Sequence, residues 1–201
     1  MKSSDPSNKR QLILDALEEL ISSKRFHEIT LDQVAERAKV GKGTIYRYFR
    51  DKEDLFLQLA ISGMENLNSM IQTRILDNHC AAIEERLLQL CQLLAAFISR
   101  RHELMRIVHE EEMRHIHDSM HHGELAQQRH QVMVNIAKII TQGKKTGQLR
   151  ADLDPFEAAI LLHGMLMARH MHMHHHGHGE IALESVITLF LHGARAREEI
   201  G

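Results

Sequence analysis

From residue 7 to residue 154 the chain contains no proline, and Pro6 and Pro155 are its only two. Proline is the residue that a helix interior excludes, so its absence over so long a stretch leaves long helices unbroken. The 11 glycines are sparse as well, and Leu, Ala, Glu, Gln, Met, Ile and Arg dominate the rest, all residues that lose little on entering a helix. The expected class is all-α. No stretch approaches the ~18 uninterrupted apolar residues of a membrane span, and the polar start Met1-Lys2-Ser3-Ser4 does not have signal-peptide form. The expectation is a cytoplasmic protein with no membrane partner. In that compartment Cys80 and Cys91 stay reduced, and Cys91 reads as a small core residue.

Local signals divide the chain. Asp5-Pro6 is an N-cap followed by Pro at the first helical position, predicting a helix to about Ser23 with Leu12, Ile13, Ala16, Leu17, Leu20 and Ile21 on its buried stripe. Thr30 and Gln33 form a Thr-x-x-Gln capping box opening a helix of about nine residues. Its inward residues are Leu31, Val34, Ala35 and Ala38. Lys39-Val40-Gly41 breaks the pattern, with Gly41 expected to take the left-handed conformation of a tight turn. A second short helix follows over about 42–49, and Asp51 caps a longer one reaching about Asn78. Further helices are expected near 82–100, 102–120, 124–146, 154–175 and 180–197.

Two short capped helices joined by a tight turn, behind an amphipathic helix, make a helix-turn-helix whose second helix can enter a DNA major groove. Charge agrees in sign: residues 1–52 hold 11 Lys/Arg against 8 Asp/Glu, while the whole chain is -2. The string Ile29-Thr30-Leu31-Asp32-Gln33-Val34-Ala35, then Val40-Gly41-Lys42-Gly43-Thr44-Ile45-Tyr46-Arg47-Tyr48-Phe49-Arg50-Asp51-Lys52-Glu53-Asp54-Leu55, closely resembles the signature of the TetR family of bacterial repressors. The resemblance is detailed over residues 8–58. It echoes again in Gly143-x-x-x-Gly147-x-Leu149 running to Asp154-Pro155, and in Leu183 to Gly193.

The resemblance implies a helix-turn-helix domain over 1–52 and a helical ligand-binding and dimerisation domain over 53–201. It also implies a repressor that binds palindromic operator DNA as a homodimer and is released by an effector. Carried over, base-edge and backbone contacts fall to Lys42, Gly43, Thr44, Tyr46, Arg47 and Tyr48. Their chemistry suits the role, since tyrosine hydroxyls, Lys and Arg reach phosphates and base edges and a glycine permits close approach. Thr30 and Lys52, at helix amino termini, are assigned to phosphate positioning. The family's dimer interface maps to helices near 154–175 and 180–197, with Ile160, Leu161, Gly164, Leu166, Ile187, Phe190 and Leu191 near it.

The other three quarters of the chain hold 15 of the 17 histidines, at or after residue 102. His117 and His121, and again His170 and His174, lie four apart, the helical spacing at which two imidazoles share one metal, and interspersed methionines widen the choice toward Cu(I). An alternative to an organic effector is therefore a regulator sensing Zn, Ni, Cu or haem, or a metal-binding protein with a vestigial DNA-binding domain. The bland alternative is a solvated, His-rich helix end and loop. No cofactor is required. Glu112-x-x-His115 would suit a di-iron enzyme, but such sites need a second Glu-x-x-His and the chain has none, so the expectation is that it is not an enzyme.

Overall fold

A computed structural model of the chain describes residues 6–78, 82–114, 120–176 and 181–194, with side chains over 8–78, 82–107, 123–173 and 181–194. Among the described residues there are eight α-helices and no β-strand. They are α1 Pro6–Ile21, α2 Leu31–Arg37, α3 Lys42–Tyr48, α4 Lys52–Ile71, α5 Ile83–Arg114, α6 Met120–Lys145, α7 Pro155–His176 and α8 Leu183–Ala194. A 3-10 turn, Phe26–Glu28, precedes α2, and a π-helical turn, Gln72–Leu76, follows α4. The chain divides into two compact units, one of residues 1–63 and 102–126, the other of 64–101 and 127–201.

In the first unit α1, α2 and α3 pack on one another. Pro6 begins α1 as its sequence predicts; Asp5 lies outside the described residues. Ile13, Ala16 and Leu17 are buried, but so is Leu14, whereas Leu12 is 44% exposed, so the buried stripe sits to one side of its expected centre. Val34, Ala35 and Ala38 from α2 and Ile45 from α3 complete this core with Phe49, Leu55 and Phe56. Each such side chain contributes about 1.5–3 kcal/mol when fully buried.

The second unit is built on α5, a single helix where two were expected. The polar run Ser99-Arg100-Arg101-His102 contains no helix breaker. Buried residues recur at Ile83, Leu87, Leu90, Cys91 and Leu94 and resume at Leu104 and Ile107, so one stripe passes straight through it. Burial pushes the Cys91 thiol up to about 12, as befits a packing residue.

Within the second unit α4 and α6 are joined by amides. Asn135 donates to Asn68 at 3.1 Å, and Asn68 donates to the Gln128 side chain at 2.9 Å and its backbone carbonyl at 3.1 Å. Satisfied polar groups inside an apolar core fix the register of the helices that carry them.

The α6–α7 junction shows why two glycines stand there. Gly147 has φ +70, and Gln148 and Leu149 donate back to the Gly143 carbonyl, closing the helix end. A Cβ on Gly143 would lie 2.8 Å from both Ile83 Cγ1 and Leu149 Cδ1. Asp154 then caps α7 through 2.8 Å bonds from the Phe156 and Glu157 amides, with Pro155 at the first helical position.

The register of α8 differs from its expected one. Leu166, Ile187, Phe190 and Leu191 are buried within the chain's own core, while Leu189 is 67% exposed. On α7, Ile160 and Leu161 face outward as expected, at 50% and 65% exposure.

Candidate functional site

Helix α3 is only seven residues long, too short to persist alone, so its neighbours must hold it. Ile45 is fully buried and Phe49 nearly so, pinning the inward side. The Phe49 amide donates to the Ile45 carbonyl at 3.0 Å, ending the helix in extended backbone. What remains outward is Lys42, Gly43, Tyr46 and Arg47, with Thr44 and Tyr48 half-buried.

The turn that presents this helix departs from its sequence reading. Gly41 sits at φ -70 as the N-cap, and the left-handed residue is Lys39, at φ 55. A Cβ on Gly41 would come no closer than 4.0 Å to Thr44 Oγ1. The helix C-cap rule places a left-handed residue just past the last helical turn, and here that place belongs to Lys39 beyond Ala38.

Both ends of the motif are capped as expected. Thr30 Oγ1 accepts from the Gln33 amide at 3.3 Å while Gln33 Oε1 accepts from the Thr30 amide at 3.2 Å. Asp51 accepts from the Asp54 amide at 2.7 Å. A bond that sequence reasoning missed completes the second cap: the buried Asp54 carboxylate accepts from the Arg50 amide at 2.8 Å, tying the end of α3 to the start of α4. The signal was the Asp-x-x-Asp spacing itself.

The cations are differently placed. Lys42 Nζ donates to Asp32 at 2.8 Å, and this hydrogen bond raises its pKa, so the charge is retained at the surface. The Arg47 guanidinium lies 5.2 Å from the Tyr48 ring centroid and donates to its hydroxyl at 3.2 Å. Tyr46 is 53% exposed. Lys52 is turned inward: its Nζ donates to the Phe26 carbonyl and lies 4.0 Å from the Phe26 ring centroid, and burial lowers its pKa. Of the eight residues singled out in the sequence, Thr30, Lys42, Gly43, Tyr46 and Arg47 are surface-exposed, Thr44 and Tyr48 half so. Lys52 ties the start of α4 to the 3-10 turn. A short helix presenting two cations, hydroxyls and a glycine can follow phosphates and base edges.

The histidines do not assemble in the same way. His117 lies outside the described residues, as do the side chains of His121, His174, Glu112 and His115. His170 is 5% exposed on α7, and burial holds the half-buried His163 imidazole below its usual pKa. Among the described residues no three His, Cys, Asp or Glu side chains gather to hold a metal. No helix among them is long and apolar enough to cross a membrane.

Over residues 13–59 the chain matches the family model described as bacterial regulatory proteins, tetR family. Over residues 80–190 it matches the one described as tetracyclin repressor-like, C-terminal domain. It is 28% identical over 158 residues to the fatty acid metabolism regulator protein of Bacillus subtilis (strain 168), covering 77% of each chain. The solved structure of the fatty acid degradation regulator FadR from Bacillus halodurans aligns with TM-score 0.72 at 24% identity, over 98% of this chain and 100% of that one. FadR from Bacillus subtilis in complex with stearoyl-CoA aligns with TM-score 0.70 at 23% identity, over 91% and 98%.

Proposed function

The chain belongs to the TetR family of bacterial transcription regulators, and from that premise we propose a repressor that grips palindromic operator DNA as a homodimer and lets go when an effector binds. Residues 1–52 bind the operator, and residues 53–201 bind the effector and a second copy. The outer face of α3 carries the reading. Its inward side is fixed by Ile45 and Phe49, leaving Lys42, Gly43, Tyr46 and Arg47 to meet the groove, with Thr44 and Tyr48 at its margin and Thr30 on a phosphate. Lys52 takes part by holding α4 in place.

Dimerisation is supported by the exposed aliphatic face of α7 and α8. Ile160, Leu161 and Leu189 are at least half exposed, and a Cβ on Gly164 or Gly193 would meet nothing within 4 Å. Two copies joined there would offer paired recognition helices to successive major grooves about 34–36 Å apart.

The effector we propose is a long-chain fatty acyl-CoA. The named Bacillus relatives regulate fatty acid metabolism or degradation, and one was solved with stearoyl-CoA. In this chain Met64, Met133 and Met165 pack against the core of the second unit, and unbranched thioether side chains can rearrange around an alkyl chain at little cost. Fluorescence anisotropy on DNA from upstream of the chain's own gene tests the reading. Stearoyl-CoA should release the operator, and Tyr46→Ala with Arg47→Ala should abolish binding while leaving helical content unchanged. Operator held as tightly at saturating stearoyl-CoA as without it sinks the proposed effector.

A further inference from the structure

Against the π-helical turn lies a cleft of about 330 Å3 lined by Arg74, Ile75, Gln89, Gln92 and Leu93. All five residues belong to the second unit, and none is used by the DNA-binding face. The lining is chemically divided. Ile75 and Leu93 give it an apolar wall, Arg74 a permanent cation and Gln92 an exposed amide. The Gln89 amide is turned to Glu85 at 3.4 Å, which leaves Arg74 and Gln92 as the donors. Among the described residues no carboxylate pairs with Arg74.

The turn that forms this wall is held by a second arginine. Arg86 is 5% exposed and donates Nε and Nη2 to the Ile75 carbonyl at 3.2 and 3.1 Å, and Nη2 also to Gln142 Oε1. A π-helical turn takes its backbone out of the regular ladder, and the guanidinium occupies the carbonyl so presented. All of its partners are neutral oxygens. Burying a guanidinium without a carboxylate is costly, and it leaves uncompensated positive charge beside the residue whose side chain lines the cleft. Two arginines with no carboxylate between them, one at the wall and one behind it, make the place attractive to anions.

We propose that this cleft binds an oxyanion carried on an apolar chain, with Arg74 and Gln92 holding the head group and Ile75 and Leu93 receiving the first carbons. The planar fork of arginine matches a carboxylate or a phosphate, which an ammonium does not, and the apolar wall rejects a bare inorganic ion. Its consequence at DNA rests on the ligand-responsive reading above; the binding itself does not. Because Ile75 stands in the turn that ends α4, the occupant touches the helix that starts two residues after the recognition helix ends at Phe49.

The test is an NMR titration of the full-length chain with decanoate, decyl phosphate and decanol, following the amide signals of Arg74, Ile75, Gln92 and Leu93. At least one anion should bind tenfold or more tightly than decanol, and the tighter of the two identifies the head group. Arg74→Gln, at an exposed position that leaves the fold intact, should erase that preference, and Leu93→Ser should weaken all three ligands. Equal binding of decanol, or an Arg74→Gln chain that keeps its preference, overturns the site. Release of operator by stearoyl-CoA while neither anion binds overturns the cleft and leaves the function standing. Anions that bind while no acyl compound releases operator do the reverse.

Discussion

The outer face of α3 and the outer faces of α7 and α8 are both exposed, and they are built on opposite principles. Helix α3 buries Ile45 and shows Lys42, Gly43, Tyr46 and Arg47. Helices α7 and α8 bury Ala158, Ala159, Leu162, Leu166, Val186, Ile187, Phe190 and Leu191, and still show Ile160, Leu161 and Leu189. The first face has spent its apolar residues on the core and offers groups that find partners on phosphates and base edges. The second has apolar residues left over after its core is complete, and each gains about 1–2 kcal/mol only when another apolar surface covers it. Exposure alone therefore says little about a partner; the chemistry left exposed after packing says which kind.

The largest effect should come from making the second face resemble the first. Leu161→Glu with Leu189→Glu places two charges where a second copy would sit, and both positions are about two-thirds exposed, so the chain's own core is spared. Light scattering should report conversion from dimer to monomer, with helical content unchanged. Operator affinity should fall by more than a hundredfold, because a monomer engages one half-site at a time. A double variant that remains dimeric removes these helices from the interface and dissolves the comparison.

How legible each region was in the sequence follows from the range of the interactions that form it. The recognition motif is written in contacts of three or four residues, such as Thr30 with Gln33 and Asp51 with Asp54, and these spacings survive into the structure unchanged. The second unit depends on which side of a helix meets which neighbour, and spacing does not say that. An all-α fold and the Asp154-Pro155 start of α7 could be read, whereas the α8 register could not: Leu189 and Phe190 are equally apolar, and only the packing buries one of them. The polar run at 99–102 suggested a break because solvent exposure and helix ending look alike in sequence. The π-helical turn at Gln72–Leu76 left no signal in periodicity, and the arginine that holds it, Arg86, looked like any charged residue on a helix.

Glycines sharpen the comparison next. Gly143 and Gly43 both sit in helices, yet a Cβ on Gly143 would strike Ile83 and Leu149 at 2.8 Å, while one on Gly43 would meet nothing within 4 Å. Gly143→Ala should therefore cost about 1–3 kcal/mol of stability by urea denaturation, as overpacking does. Gly43→Ala should hold or raise stability, since alanine is the better helix former by up to about 1 kcal/mol. Its penalty should appear only with DNA, as a roughly tenfold loss of operator affinity, because the space beside Gly43 is empty until the groove fills it. Unchanged affinity in Gly43→Ala would show that DNA does not approach that backbone closely.

The smallest effect tests the turn that aims the polar face. Lys39 holds φ 55, a conformation that costs a residue with a Cβ about 1 kcal/mol or more, while Gly41 at φ -70 needs no such freedom. Lys39→Gly removes the strain but gives the unfolded chain more entropy to lose, about half of the gain. The net is a stabilisation of about 0.5 kcal/mol, seen as a rise in the urea midpoint with the slope unchanged. Lys39→Asn should match it within a few tenths of a kcal/mol, because asparagine tolerates the left-handed region without the glycine entropy. The corresponding change at Gly41, Gly41→Ala, should be neutral or mildly stabilising, since its backbone is extended and its nearest neighbour is 4.0 Å away. If Gly41→Ala destabilises and Lys39→Gly does not stabilise, the left-handed residue of the turn is Gly41 and the assignment made from the periodicity returns.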